Sequence, residues 1–196
     1  MAVTQAHGSR QLSGGHVDGV MAPMPPGLRI RLATEADAHA IGVLVRRATR
    51  QDVMPDQSAQ AGAHLLRGMT ARAERQRIRE GKRYFVAELG GRIVGVVATR
   101  DDSHVFRLFV SRRWRRHGIA GALLRRIVAD GRRRSGTRTF TLNASKFAIE
   151  AYLRLGFRIT GRAVAKGPGR VVATPMRIRV PARPAAPKGS GRRRAP

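Results

Sequence analysis

The sequence predicts a single mixed α/β domain in which helices cover both faces of a sheet. Three observations lead to this prediction. Short apolar runs with strand-like alternation are interleaved with longer segments of helical periodicity. One pair of strand-like runs is separated by only two glycines, which is typical of an antiparallel hairpin. A length of 196 residues with 42% hydrophobic content is enough to build one hydrophobic core.

The first third of the domain predicts one strand and two helices. Residues 28–33 alternate apolar and basic side chains, as a half-buried strand does. Thr34 and Asp37 have the spacing of a capping box. The residues behind them share one apolar helical face: Ile41, Leu44, Val45 and Ala48. Residues 58–80 then predict a second helix, which ends at Gly81.

The middle of the chain predicts three strands followed by a helix. Residues 84–99 form two strands about Gly90 and Gly91, and residues 103–110 form the next strand. Apolar side chains at helical spacing indicate the helix: Ile119, Leu123, Leu124, Ile127 and Val128.

The last part of the domain predicts a strand, a helix and two strands. Residues 137–144 form the strand, and Ser145 is placed to cap a helix that ends near Leu155. Two strand patterns then flank a turn at residues 166–169. The expected architecture is a mixed, mostly antiparallel sheet of about six to seven strands with about four helices on both faces.

The same patterns place one domain, residues 27–180, between two low-complexity ends. Residues 1–26 lack periodicity and predict a disordered leader, and residues 181–196 predict a disordered basic tail. Met21 and Met24 both precede the first strand. That translation begins at one of them, rather than at Met1, is a hypothesis that the intact mass of the native protein would test.

The charge of the chain is strongly positive, with a formal value of +27. Residues 1–26 are balanced, and residues 181–196 carry five basic side chains and no acid, so residues 27–180 have a net charge of +22. Such a field attracts polyanions, namely nucleic acid, an anionic membrane or phosphorylated cofactors. Only four of the 39 basic residues are lysine, however, and an arginine excess is also what a GC-rich genome produces without selection. Charge alone therefore assigns no function.

Several classes of site and location are excluded or disfavoured by what the sequence lacks. It has no cysteine, which excludes disulfides, thiolate metal sites and a cysteine nucleophile. Its histidines show no shared metal-binding spacing, so no metal is expected. Its apolar runs are much shorter than the roughly 18–20 residues of a membrane span, and its N-terminus lacks a signal-peptide pattern. A soluble, cytoplasmic protein without membrane association is expected.

The segment between the strand at 103–110 and the following helix has features of an anion-binding loop. Gly118 and Ala120 stand at the helix start, where large side chains would block access to the backbone. The first turn of a helix has N–H groups without intrahelical partners and a partial positive charge. A phosphate or pyrophosphate can bind there, and Arg115, Arg116 and His117 add donors. The chain has neither a P-loop nor a dinucleotide-binding glycine motif, so neither of those nucleotide-binding folds is supported.

Two motifs in this context resemble those of the GNAT superfamily of acyl-CoA-dependent N-acyltransferases. The segment LFVSRRWRRHGIAGALL, residues 108–124, contains [R/Q]-x-x-G-x-[G/A] as Arg115, Gly118 and Ala120, preceded by L-x-V as Leu108 and Val110. The segment LNASKFAIEAYLRLGF, residues 142–157, resembles the family's second block. Its matching positions are Asn143, Ala148, Tyr152, Gly156 and Phe157. The order of predicted elements over residues 28–180 agrees with the family as well.

The resemblance implies a binding site for acetyl-CoA as acyl donor. The strand before the first motif would separate from its neighbour, so that its backbone pairs with the pantetheine arm. A backbone N–H near Phe109 would polarise the thioester carbonyl, and residues 115–120 would enclose the pyrophosphate. The implied contacts are Leu108, Phe109, Val110, Arg115, Arg116, His117, Gly118, Ile119, Ala120 and Asn143. Tyr152 would be the general acid that protonates the departing thiolate.

Several side-chain roles stay open at this point. The spacing of Tyr152 alone favours a core residue, whereas its place in the matched block favours the acid, and Asn143 could be a strand-end cap or a ligand of the cofactor. His104 is the candidate general base, and the alternative is that it is simply a polar residue at a strand end. Asp101 and Asp102 are the other candidate bases, but their sequence context indicates a turn in the first place. Contact with phosphate is expected for Arg116, whereas Arg112 and Arg113 are expected to face solvent. Trp114 is expected to pack against the sheet.

The resulting expectation is an N-acetyltransferase whose acceptor is an amine on a small molecule or a protein. Its positive domain favours acidic or phosphorylated acceptors over polycations, because like charges repel. The alternative is a non-catalytic GNAT-like protein that binds nucleic acid through its arginines. Nucleic acid is the less favoured partner, and a homodimer is left open.

Overall fold

An eight-stranded, mostly antiparallel sheet forms the centre of the computed structural model, which describes residues 23–167 and 169–181. The strands are β1 Arg29–Leu32, β2 Arg83–Leu89, β3 Arg92–Arg100, β4 His104–Val110, β5 Thr139–Ala144, β6 Arg158–Ile159, β7 Val164–Lys166 and β8 Val171–Arg179. The α-helices of these residues are α1 Ala38–Asp52, α2 Ala59–Arg67, α3 Ala71–Arg79, α4 Ile119–Ser135 and α5 Ile149–Arg154. Short 3-10 turns occupy Glu35–Asp37, Met54–Asp56, Arg112–Trp114 and Lys146–Ala148.

The strands follow the order β1-β2-β3-β4-β5-β8-β6, and β7 pairs with β8 beside this path. Neighbours are antiparallel except for β4 and β5, which are parallel. The predicted hairpin of β2 and β3 is present, and Gly90 and Gly91 both adopt positive φ angles, 54° and 71°. Positive φ at both turn residues matches the right-handed twist of the flanking strands, which is why glycine is favoured here.

Helices cover both faces of the sheet, as predicted. Side chains of β2 alternate between two clusters of buried residues, Phe85 and Ala87 in one and Tyr84 and Val86 in the other. The first cluster packs under α4 and α5, and the second packs under α1 with contributions from α2 and α3. The predicted apolar face of α1 is buried in the second cluster.

Three boundaries differ from the sequence prediction. The helix expected over residues 58–80 is two helices, because Gly68 ends α2 and the Thr70 hydroxyl accepts a hydrogen bond from the Ala73 N–H (3.1 Å) to begin α3. Ser145 begins a 3-10 turn without a side-chain cap, so α5 starts later than predicted. The first of the two final strands is interrupted between β6 and β7.

Pro175 of β8 explains this last interruption. Its carbonyl accepts a hydrogen bond from the Thr160 N–H (2.9 Å), but proline has no N–H to return. The ladder therefore stops after β6 and resumes at β7, which raises the number of strands to eight.

A buried ionic network attaches α3 to β2 and β4. Glu74 is fully buried and accepts hydrogen bonds from the Tyr84 hydroxyl (2.6 Å) and from Arg107 Nη2 (3.1 Å). Arg77 adds a third donor at 3.3 Å. Burial and the nearby Glu74 carboxylate raise the pKa of Tyr84. Because Arg107 belongs to β4, the network fixes the position of this strand relative to α3.

Close packing at Gly95 positions the start of α4. A Cβ atom on Gly95 would lie 2.9 Å from Leu123 Cδ1 and 3.3 Å from Ile119 Cγ2. The glycine therefore lets the first turns of α4 lie directly on β3, opposite Val110 in the register of β3 and β4.

Two further expectations concern the ends of the chain and membrane-spanning segments. The predicted leader, residues 1–26, and the predicted tail, residues 181–196, lie outside the described residues except for residues 23–26 and residue 181. Within the described residues, no helix combines the length and apolarity needed to cross a bilayer.

Candidate functional site

A cleft opens between β4 and β5 because these parallel strands pair only at one end. His104 and Thr141 form their single bridged pair, next to a hydrogen bond from the Thr141 N–H to the Ser103 carbonyl (3.0 Å). Beyond this pair the two strands separate toward their carboxyl ends. We call this opening, between residues 105–110 and residues 142–144, the cleft.

The register of β3 and β4 shows which backbone groups face the cleft. The Ser111 N–H donates to the Val94 carbonyl (2.8 Å), and β-strand amides alternate in direction from one residue to the next. The amide of Phe109 therefore points toward β3, whereas those of Leu108 and Val110 point into the cleft. Both flank Phe109, where the sequence predicted a polarising N–H.

The loop from Ser111 to Gly118 reverses direction through two left-handed residues. Arg116 has φ of 65° and Gly118 has φ of 72°. Residues of this kind turn successive N–H groups toward a common point, which is an arrangement that binds anions. His117 Nδ1 donates to the Arg115 carbonyl (2.8 Å), because a carbonyl oxygen can only accept. This bond fixes the loop ahead of α4.

The beginning of α4 continues the same surface. Gly118 is the N-cap, and the first helical hydrogen bond runs from the Ala122 N–H to the Gly118 carbonyl (3.0 Å). The N–H groups of Ile119, Ala120 and Gly121 precede that bond and have no intrahelical acceptor. With the helix dipole, they form a positive end suited to a pyrophosphate.

The aromatic and basic side chains of the loop separate into two groups. Arg112, Arg113 and Arg116 are exposed. Trp114 packs against the cluster under α4, as expected, and meets the His117 ring edge-on at 5.6 Å.

Arg115 takes a direction that the sequence did not predict. Its guanidinium makes two bonds to the carboxylate of Asp52, the last residue of α1; the Nη1–Oδ1 distance is 3.2 Å, and Nη2 contacts Oδ2. Its Nε donates to the Val110 carbonyl (3.4 Å), and its Cζ lies 5.6 Å from the centre of the Phe147 ring. The side chain thus joins α1, β4 and the turn after β5.

Tyr152 and Asn143 lie on the β5 side of the cleft. Asn143 is exposed on β5, opposite Pro175 of β8. Tyr152 projects from α5 onto the cluster under α4 and meets the Phe157 ring edge-on at 5.6 Å. Gly156, with φ of 91°, allows the Phe157 N–H to reach back to the Tyr152 carbonyl (3.0 Å) and ends the helix. Burial raises the pKa of Tyr152 to about 12, so its hydroxyl stays protonated at neutral pH.

His104 lies at the closed end of the cleft. Its Nδ1 is 2.9 Å from the Thr141 hydroxyl, with donor and acceptor depending on the tautomer. Asp101 and Asp102 form the turn between β3 and β4 that the sequence predicted, and both have positive φ angles. Asp102 also pairs with Arg134 at 3.5 Å.

A groove of about 290 Å³ lies beyond the end of β5. It is lined by Asp56, Gln57, Ala144, Lys146, Ile149, Ala163, Val172, Ala173 and Thr174. The Gln57 carboxamide closes one wall by donating to the Val172 carbonyl (2.9 Å) and accepting from the Val172 N–H (2.8 Å). A larger concavity of about 410 Å³ is lined by α1 residues alone, and no strand contributes to it. The smaller groove adjoins Asn143 and α5, so it is the better candidate for an acceptor.

Sequence reasoning missed Asp52 and Gln57. Asp52 is 63 residues from Arg115, and Gln57 is 115 residues from Val172. Neither side chain belongs to a local motif, and no periodicity connects such distant positions. Within the described residues, no group of three His, Asp or Glu side chains is arranged to hold a metal ion.

Comparison with known families and curated proteins finds acetyltransferases. The profile of the acetyltransferase (GNAT) domain matches residues 52–180. N-acetyltransferase 8B of Mus musculus is 36% identical over 93 residues, covering 42% of this chain and 40% of that protein. N-acetyltransferase family 8 member 2 of Rattus norvegicus is 37% identical over 89 residues, covering 40% and 39%. The chain spans about two fifths of the length of these curated relatives.

Solved structures share the fold. A GCN5-related N-acetyltransferase from Rhodopseudomonas palustris superposes with a TM-score of 0.67 at 18% identity, over 82% of this chain and 98% of that one. PaiA N-acetyltransferase from Thermoplasma acidophilum, in complex with coenzyme A, gives 0.62 at 12% identity over 78% and 98%. YncA from Salmonella typhimurium, with acetyl-CoA, gives 0.56 at 22% identity over 83% and 98%.

Proposed function

Because this chain belongs to the GNAT acetyltransferase family, we propose that it moves the acetyl group of acetyl-CoA to an amine across the cleft between β4 and β5. The observation that carries this proposal is the single bridged pair of these strands, His104 and Thr141, which leaves backbone groups of β4 unpaired beside an anion-binding loop. Coenzyme A in the PaiA structure and acetyl-CoA in the YncA structure support acetyl-CoA as the donor.

The residues at the cleft fit the two ends of such a donor. The N–H groups of Leu108 and Val110 and the Leu108 carbonyl suit the amides of a pantetheine arm, and one of these N–H groups would polarise the thioester carbonyl. The backbone of residues 115–120, with Arg116 and His117, suits the pyrophosphate. Asn143 faces the thiol end from β5.

The reaction forms a carbon–nitrogen bond and breaks the carbon–sulfur bond of the thioester. Tyr152 supplies a proton to the departing thiolate, since its raised pKa keeps the hydroxyl protonated. The amine loses a proton to His104, directly or through water, because a histidine accepts protons near neutral pH. No covalent intermediate with the protein is required.

The acceptor is proposed to carry negative charge and to approach through the groove beyond β5. Residues 27–180 carry a net charge of +22, so their field favours acidic or phosphorylated amines over polyamines. The groove lining itself holds one charge of each sign, Lys146 and Asp56, so the preference rests on the field of the whole domain.

The test is an acetylation assay with an amine panel, in which thiol release is followed with acetyl-CoA as donor. The panel contains L-aspartate, O-phospho-L-serine, glycine, glycinamide and spermidine. Turnover is expected with an acidic member, and turnover of spermidine above the acidic amines would overturn the acceptor class.

Thermal shifts with acetyl-CoA and with duplex DNA, each at two salt concentrations, test the donor. Stabilisation by DNA alone, lost steeply with salt, would favour a nucleic-acid-binding protein instead.

A further inference from the structure

The Arg115 guanidinium is committed to protein partners, although its position in the motif suggested a phosphate ligand. Resting on the function proposed above, we infer that Arg115 and Asp52 are a pair of positioning residues. They hold the connection between α1 and α2, residues 53–58, against the cleft. Contact with the pyrophosphate is left to the loop backbone and to Arg116.

The hydrogen bonds of Arg115 support this assignment. Three of the five guanidinium N–H groups are used, two on Asp52 and one on the Val110 carbonyl. The exposed fractions of the two charged side chains are only 29% for Arg115 and 13% for Asp52. A two-bond pair of this kind orients both groups, and the carboxylate neutralises the charge that a phosphate would need.

Arg116 has the opposite properties. It is exposed, and its side chain makes no hydrogen bond or ion pair with the residues that the structure describes. Its left-handed backbone, with φ of 65°, is unfavourable for an arginine. The guanidinium available for an incoming phosphate is therefore that of Arg116.

The connection that follows Asp52 is held at both of its ends. Asp52 attaches its beginning to the loop after β4, and the two hydrogen bonds of Gln57 to Val172 attach its end to β8. Between these anchors lies Asp56, which lines the groove proposed for the acceptor. Releasing Asp52 from Arg115 would therefore disturb the acceptor side of the cleft more than the pyrophosphate side.

The first experiment compares coenzyme A with pantetheine, which lacks the pyrophosphate and the nucleotide. Binding is followed by the fluorescence of Trp114, the single tryptophan, which precedes Arg115. Arg115→Gln and Asp52→Asn are expected to change both dissociation constants by the same factor, within about twofold. Arg116→Gln is expected to weaken coenzyme A by about tenfold or more and to leave pantetheine unchanged. Arg100→Gln is the charge-matched control, since Arg100 is exposed at the far end of β3, opposite His104.

Two binding results would overturn the inference. One is a loss of coenzyme A affinity in Arg115→Gln at least about tenfold greater than the loss for pantetheine. The other is tighter binding of coenzyme A by Asp52→Asn, which is expected if the Arg115 guanidinium, once released from Asp52, binds the pyrophosphate. Circular dichroism checks that each variant is folded. If Arg115→Gln is not folded, Arg115→Lys replaces it, because lysine keeps the positive charge but cannot bind both carboxylate oxygens.

The second experiment separates the KM values for the two substrates, using the best amine of the panel. Asp52→Asn and Arg115→Gln are each expected to raise the KM for the amine by about fivefold or more, with less than about a twofold change in the KM for acetyl-CoA. The double variant should be no worse than either single one, because the two side chains act as a unit. Additive losses, or losses confined to acetyl-CoA, would contradict the pair. If the native protein neither binds acetyl-CoA nor releases thiol, the proposed function itself is wrong. If the native protein does both but the variants depart from the expected changes in KM and affinity, only the positioning role is wrong.

Discussion

Neutralising the buried Glu74 carboxylate should strongly destabilise the protein. Glu74 has no exposed surface and accepts hydrogen bonds from Tyr84, Arg77 and Arg107, whose own side chain is only 10% exposed. In the Glu74→Gln variant, Arg107 would stay buried without a counter-charge. Removing one partner of a buried pair costs about 3–5 kcal/mol, and the remaining amide oxygen of glutamine places this case near the lower end.

The expected loss of about 3 kcal/mol is a large part of a stability of about 5–15 kcal/mol. For a domain of this size it corresponds to a melting temperature lower by about 6–12 °C. Urea unfolding followed by far-ultraviolet circular dichroism measures it, and the m-value should not change. Because Arg107 precedes Leu108 in β4, the variant should also bind acetyl-CoA more weakly.

Glu35→Gln is the matched control, because it removes a carboxylate from an exposed pair with Arg79 at 2.7 Å. Its effect should be much smaller, since exposed ion pairs contribute little. A loss below about 1 kcal/mol for Glu74→Gln, comparable with one ordinary hydrogen bond, would refute the view that Arg107 depends on this carboxylate.

Three further predictions concern the acid, the packing of α4 and acid stability. Tyr152→Phe should lower kcat by about 100-fold, because the variant has no hydroxyl to protonate the thiolate. The ratio of native to variant kcat should stay constant up to about pH 10, since the pKa of about 12 keeps the hydroxyl protonated there. Unchanged turnover would show that Tyr152 is not the acid. Gly95→Ala should destabilise the fold by about 1–3 kcal/mol and weaken acetyl-CoA binding, because the new methyl group meets Leu123; calorimetric titration giving native affinity would contradict this. Burial opposes ionisation of Asp130, but its hydrogen bonds and charge interactions with Arg83 dominate and lower its pKa below 3.8. The stability that this pair contributes is complete above about pH 4 and is lost as the pH falls through the lowered pKa. Asp130→Asn should therefore lower the free energy of unfolding by about 2–3 kcal/mol at pH 7 and flatten the acid limb of a plot of that free energy against pH. An unchanged acid limb would exclude Asp130 as its source.

Local patterns were sufficient for most elements and for the loop of the site. The Gly90–Gly91 hairpin and the alternation of β4 follow from turn chemistry and pleating. The spacing of Arg115, Gly118 and Ala120 correctly located the loop and the start of α4. These features depend on residues within one or two turns of each other, where sequence and geometry are directly related.

Long-range features could not be predicted in the same way. The apolar period of residues 58–80 continues through the break at Gly68, so the pattern did not separate α2 from α3. The interruption before β7 depends on Pro175, a residue of the partner strand. The direction of Arg115 depends on Asp52, and a motif shows only that an arginine is present, not which group its guanidinium contacts.

The single bridged pair between β4 and β5 also divides the hydrogen bonding of the sheet into two ladders, one of β1 to β4 and one of β5 to β8. In the free protein the two ladders meet in the core under α4, where Leu123 belongs to the same cluster as Phe85 from one ladder and Leu142 from the other. A ligand that bonds to backbone groups on both sides of the cleft would act as the missing strand between them. Native-state hydrogen exchange should therefore show two opening free energies in the free protein and one common value when acetyl-CoA is bound.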